Sequence, residues 1–189
     1  MATLYVMRTG QTVFEAQSRV DSVGGSPLTD EGIHQVAGMI AQLAGRGIDA
    51  IYASEAEAEQ QTADMVAEAL TLKVRTAGDL REIDYGLWQG LTLEEIQRRQ
   101  PKAYRQWTQT PTTLCPPGGE TLVEAQHRVR KNLKQILHRP KCDSPLIVVR
   151  PVVMGLVRCI MENHKLETFW QHVDHDPTWC SYQADSAVL

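Results

Sequence analysis

Leu4-Tyr5-Val6-Met7-Arg8-Thr9-Gly10-Gln11-Thr12 is the stretch on which the fold turns. Four apolar residues in succession read as a strand covered on both faces, as expected inside a parallel sheet. An arginine follows, and then a glycine that permits a sharp turn. A buried strand that ends in a cation and a tight loop is a common way to set charged groups above a sheet.

Working outward, short apolar runs alternate with segments of helical period, the pattern of an α/β layer fold with a largely parallel sheet. Strands are expected at 3–7, 50–53, 72–75 and 146–150, the last being central because Leu146-Ile147-Val148-Val149 is continuously apolar. After Thr29, Ile33, Val36, Ala37, Ile40, Leu43 and Ala44 share one helix face, and Gly45 and Gly47 supply a stop. Ser54 and Glu57 have capping-box spacing, predicting a helix that runs to about Leu70, with Glu55, Glu57 and Glu59 favouring the positive end of its dipole. Thr92 and Glu95 repeat the box before Ile96. A long amphipathic helix over 121–138 buries Leu122, Ala125, Val129, Leu133 and Ile136. The segment 109–119, rich in proline and glycine, is expected to be an ordered loop over a sheet edge.

The chain has 189 residues, 42% of them hydrophobic, and a net charge of -4, which suits one domain spanning residues 1–189. Charges of both signs are interspersed and no basic run occurs, so nucleic acid is not an expected partner. No apolar window is long enough to span a bilayer, and neither a membrane partner nor a leader is expected; the reading is cytoplasmic. Cys115, Cys142, Cys159 and Cys180 stand at wide spacings without a paired metal-ligand pattern. His172 and His175 beside Asp174 and Asp176 could hold a metal, but no third fixed ligand is evident and a polar turn is preferred. Neither a metal nor a cofactor is called for. Trp107 with Tyr104, and Trp170 with Phe169, read as satellite core in preference to exposed anchors of a partner.

Four ordered segments resemble the histidine phosphatase superfamily, which includes the cofactor-dependent phosphoglycerate mutases. Arg8-Thr9-Gly10-Gln11-Thr12 is similar to its Arg-His-Gly-Glu-Thr signature, and Arg19 and Ser26-Pro27-Leu28-Thr29 with Gly32 follow at family spacing. Leu80-Arg81-Glu82 through Gly90 resembles the segment carrying the family's proton donor, and Pro117-Gly118-Gly119-Glu120-Thr121 with Arg128 resembles the Gly-Gly-Glu-Ser segment and its helix. The resemblance covers roughly residues 4–161 and implies a three-layer α/β/α sandwich, phosphoglycerate mutase-like, around a mostly parallel sheet.

It also implies a phosphate pocket, and the residues present depart from that pocket. Thr9 stands where the resemblance puts the nucleophilic histidine, and a threonine hydroxyl needs a base to attack phosphorus. Pro151 stands at the second histidine, Ala58 at the phosphate-clamping arginine, and Glu15 at a donor asparagine. Only Arg8 and Glu82 keep the family residue among these six positions. A carboxylate about 6 Å from a phosphate, at an effective dielectric near 20, opposes each unit of its charge by roughly 3 kcal/mol.

Glu82 is expected to pair with Arg8 or to accept from loop amides, and Pro151 suits the first turn of a helix. Arg150, a new cation, is expected on the strand face opposite residue 151, with the alternative that the loose geometry of a strand end lets it reach the pocket and, together with Arg8, hold a smaller or differently shaped anion. The site residues named by this reading are Arg8, Thr9, Glu15, Ala58, Glu82, Arg150 and Pro151. The function read from them is that of a pseudophosphatase with a binding or regulatory role, taking a small molecule or a protein partner as a monomer or homodimer. The alternative is a phosphoric-ester hydrolase or mutase-like enzyme using a rearranged pocket around Arg8, Thr9 and Glu82.

Overall fold

The computed structural model describes residues 2–22, 24–140, 142–173 and 178–184. Their sheet contains β1 (Ala2–Arg8), β2 (Ala50–Ala53), β3 (Val74–Thr76), β4 (Pro145–Val149) and β5 (Trp179–Ala184), in the order β3-β2-β4-β1-β5. All pairings are parallel except that of β5, which runs antiparallel beside β1. The expected α/β fold with a mostly parallel sheet is therefore observed.

Strand alternation builds the layers. Tyr5, Met7, Ile51, Ala53, Leu146 and Val148 face one cluster, which is completed by α2 (Asp30–Leu43) and α3 (Glu57–Leu70). Leu4, Val6, Tyr52, Ile147 and Val149 face the other, completed by α6 (Leu122–Leu137) and α7 (Pro151–Met161). Burial on both faces is why β1 and β4 read as unbroken apolar runs. The expected stripe of α6 is buried at all five positions.

The connection leaving β1 goes to α2 on one face, whereas the connection leaving β4 goes to α7 on the other. These strands are neighbours, with Arg8 beside Val149. A crevice must open where outgoing segments diverge, outside the carboxyl ends of the two strands. The short α1 (Val13–Ala16), α4 (Leu93–Arg99) and α5 (Pro101–Gln109) lie in the connections outside the main layers.

Several expectations are corrected. β3 begins at Val74 rather than Leu72, because Thr71 ends α3 in the left-handed region at φ 55° and the Leu72 amide still donates to the Ala67 carbonyl at 3.0 Å. Ser54 does not cap α3: Ala56 occupies the cap without a side-chain bond, while Ser54 Oγ accepts from the Ala56 amide at 3.2 Å and donates to Glu59 at 3.2 Å. The loop 109–119 contains a 3-10 turn, Pro111–Thr113, packed on α5, α6 and the 3-10 turn Leu166–His172. Among the described residues, no helix is long and apolar enough to cross a membrane.

Trp107 and Phe169 are core residues, with Tyr104 and Trp170 packed against the same cluster. Asp174, His175 and Asp176 lie outside the described residues. His172 stacks on His164 with ring centroids 4.0 Å apart.

Candidate functional site

The crevice is a cavity of about 450 Å³ lined by Arg8, Glu15, Asp21, Glu82, Arg150 and Pro151, among others. Five of the seven residues expected at the site, Arg8, Glu15, Glu82, Arg150 and Pro151, thus meet around one space. Thr9 and Ala58 are fully buried and lie behind that lining.

Local sequence explains the position of each group. Thr12 caps α1, and Glu15 closes a capping box: its Oε2 accepts from the Thr12 amide at 3.1 Å, while Thr12 Oγ1 accepts from the Glu15 amide at 3.2 Å. That geometry turns Glu15 Oε1 toward Arg8, whose Nη2 donates to it at 3.1 Å. The carboxylate expected to repel an anion therefore neutralises the arginine expected to attract one.

The Thr9 amide donates to the Val149 carbonyl at 3.0 Å, which locks the loop to β4. Its Oγ1 is buried and has no hydrogen-bond partner among the described residues. No base within hydrogen-bond reach activates this hydroxyl among the described residues.

Glu82 is 3% exposed and does not pair with Arg8. Its Oε1 accepts from the Ile83 amide at 2.7 Å and its Oε2 from the Val152 amide at 2.9 Å, the latter bond pinning it to the first turn of α7. Burial pushes its carboxyl up to about 7, against the lowering pull of Arg150 and the two amides. Beneath it, Arg128 Nε and Nη2 grip Glu120 at 2.7 and 2.8 Å, and its Nη1 donates to the Asp79 and Arg81 carbonyls at 2.7 and 2.8 Å. Arg128 is a positioning residue for the Glu82 segment.

Arg150 takes the alternative placement and reaches the pocket. It is 2% exposed and lines the cavity, with Nη2 3.0 Å from Asp21 Oδ2 and 4.0 Å from Glu15 Oε1. Alternation separates side chains along a strand, but Arg150 follows the last residue of β4, beyond which the sheet no longer divides the two sides. Burial loosens its charge, but four carboxylates, Glu59, Asp21, Glu82 and Glu15, together hold it more firmly, and its pKa is raised. Burial pushes the Glu59 carboxyl up in turn, with Arg150 opposing.

Asp21 and Glu59 were missed from the sequence. Asp21 Oδ2 accepts from Thr12 Oγ1 at 3.1 Å and Ser26 Oγ at 2.7 Å. No local pattern marks such a loop residue. Glu59 carried a signal, because it falls in the stripe with Thr62, Ala63 and Val66 that α3 buries. Among the described residues, no group of three or more histidine, cysteine or acidic side chains is arranged to hold a metal.

The model of the histidine phosphatase superfamily (branch 1) matches residues 4–185. The chain belongs to the histidine phosphatase superfamily. It is 34% identical over 174 residues to the bifunctional protein Rv2228c of Mycobacterium tuberculosis, a match covering 90% of this chain and 47% of that protein. It thus spans about half the length of that curated relative. It is 27% identical over 170 residues to phosphoserine phosphatase 1 of Hydrogenobacter thermophilus, covering 90% of this chain and 81% of the relative. The structure of Bacillus stearothermophilus YhfR superposes with a TM-score of 0.92 at 26% identity, over 98% of this chain and 93% of that one. Membership makes the phosphoglycerate mutase-like architecture plain.

Proposed function

We propose that this chain keeps the superfamily fold as a small-molecule-binding protein without histidine-based phosphoryl transfer. The observation that carries this reading is Thr9: the hydroxyl at the nucleophile position is buried and unpartnered among the described residues. Histidine chemistry on phosphorus needs a nucleophile, a clamp for the phosphoryl oxygens and a second donor. Here the clamp position is the buried Ala58 and the second donor position is Pro151. Arg8 is tied to Glu15, so its charge is already met.

Hydrolysis by a rearranged pocket finds one favourable observation, the Glu82 carboxyl near neutrality. Both of its oxygens are held by backbone amides, however, and nothing it could activate lies at Thr9. The binding reading is preferred.

The purified protein is expected to release no phenol from aryl phosphates above background and to form no acid-labile phosphohistidine. Thr9→His alone is expected to leave it inactive, because Glu15, Ala58 and Pro151 remain. Metal-independent turnover by the parent protein, or full rescue by that one substitution, overturns the proposal.

A further inference from the structure

The polar cavity runs on into an apolar one. A space of about 300 Å³ is walled by Ile96, Trp88, Trp107, Trp170 and Tyr104. It shares Val20, Tyr85, Leu93, Pro151, Val152 and Val173 with the polar cavity. Two of its three indole donors are committed elsewhere: Trp88 Nε1 donates to Gln100 at 3.1 Å, and Trp170 Nε1 to the Trp107 carbonyl. Trp107 meets Tyr85, Trp88 and Trp170 edge to face, with centroids 5.6, 6.2 and 5.0 Å apart. Such a chamber offers rigid aromatic surface and few hydrogen bonds, the environment for an apolar body.

The polar side asks for something different. Arg150 Nε and Nη1 are buried without a partner among the described residues. A buried guanidinium N–H left unmet is costly, and an acceptor delivered by a ligand relieves that cost. The cavity is lined by Arg8, Arg19 and Arg150 and by the acids Glu15, Asp21 and Glu82, the last with its carboxyl raised to about 7 by burial. One added negative charge suits the spare donors, whereas two would press on the neighbouring carboxylates. Pro151 stands where the chambers join and presents hydrocarbon there, so a ligand passes from one to the other without stranding a polar group.

We propose that the joined cavities bind a small monoanionic amphiphile, an aromatic or branched aliphatic carboxylate, with its head at Arg150 and its body among Trp88, Trp107 and Trp170. The assignment rests on the reading of this site as a binding pocket.

Titration calorimetry and tryptophan fluorescence with 2-naphthoate, acetate and 1-naphthyl phosphate test it. The naphthoate is expected to quench the tryptophans and to bind at least about tenfold more tightly than either of the others. Leu93→Asp introduces a charge at the junction, at a half-exposed first helical position where an acid suits the helix. It should weaken naphthoate binding about tenfold or more with the melting temperature unchanged. Phosphate bound as tightly as carboxylate, acetate bound as tightly as naphthoate, no saturable binding, or an unaltered affinity in Leu93→Asp each overturns the assignment. Release of naphthol from 1-naphthyl phosphate overturns the non-hydrolytic reading whatever the affinities. Absence of both hydrolysis and naphthoate binding removes the ligand assignment alone.

Discussion

Glu82 shows how one residue can keep its identity and change its work. Its two backbone bonds and its burial are structural facts before they are catalytic ones, and they set a definite pH dependence. The folded-state pKa is raised from the ordinary 4.5 to about 7. The folded protein therefore holds this proton more tightly than the unfolded chain does. Stability from this group is fully present below about pH 4.5 and falls as pH rises toward 7, by up to about 3 kcal/mol. Glu82→Gln removes that slope, although it leaves one of the two amides without a carboxylate oxygen. The unfolding free energy of the variant is expected to gain on that of the parent as pH rises from about 4.5 to 8. Urea melts giving parallel pH curves for the two proteins contradict this. At this scale the sequence was legible where the bond is local, as with Glu82, which accepts from an amide of its own loop as expected. It was illegible at Arg150 and Asp21, whose pairing joins residues 129 positions apart with no local pattern to announce it.

At the scale of elements, the helices were readable because their causes are local. Thr92 with Glu95 and Thr121 with Glu124 form complete capping boxes. β5 was not read, because Trp179–Ala184 is an edge strand of intermediate and exposed residues and exists by pairing with β1. Propensity is a weak guide for such strands, whose stability comes from their neighbours. Close backbone approach is a further element-scale property. A Cβ at Gly32 would stand 2.2 Å from the Gln11 carbonyl oxygen, whereas one at Gly38, in the same helix, meets nothing within 4 Å. Gly32→Ala is expected to destabilise by about 1–3 kcal/mol or more as the loop is pushed off α2. Gly38→Ala should stabilise by about 0.5–1 kcal/mol, since alanine is the better helix former. Thermal melts of the pair check both; equal effects would mean that the loop yields freely.

Across the whole molecule, the sheet and its two helical layers are shared with the structure of Bacillus stearothermophilus YhfR at a TM-score of 0.92, although only 26% of residues are identical. The core is built from residues that alternate across the sheet, and that pattern is independent of what stands beyond the strands. Fold and site are therefore separately alterable.

The contact between Arg150 and Asp21 couples positions that stand far apart in the chain. Arg150 is buried, and its Nη1 lies 3.7 Å from where a Cβ on Gly25 would be, beside Ala56 at the start of α3. Its charge thus sits close to the turn of helix from which an arginine at position 58 would extend. Replacing Arg150 by serine alone abandons Asp21 and Glu59 in the interior, a loss of about 3–5 kcal/mol. Installing Ala58→Arg alone forces another cation into a packed position. The double variant is expected to be more stable than the sum of the two losses by about 1 kcal/mol or more, measured as a double-mutant cycle in urea. Additive losses would show the two positions to be independent. With the expected coupling, neither position can be exchanged alone without a loss of stability that the other exchange partly recovers, so the two change most easily as a pair.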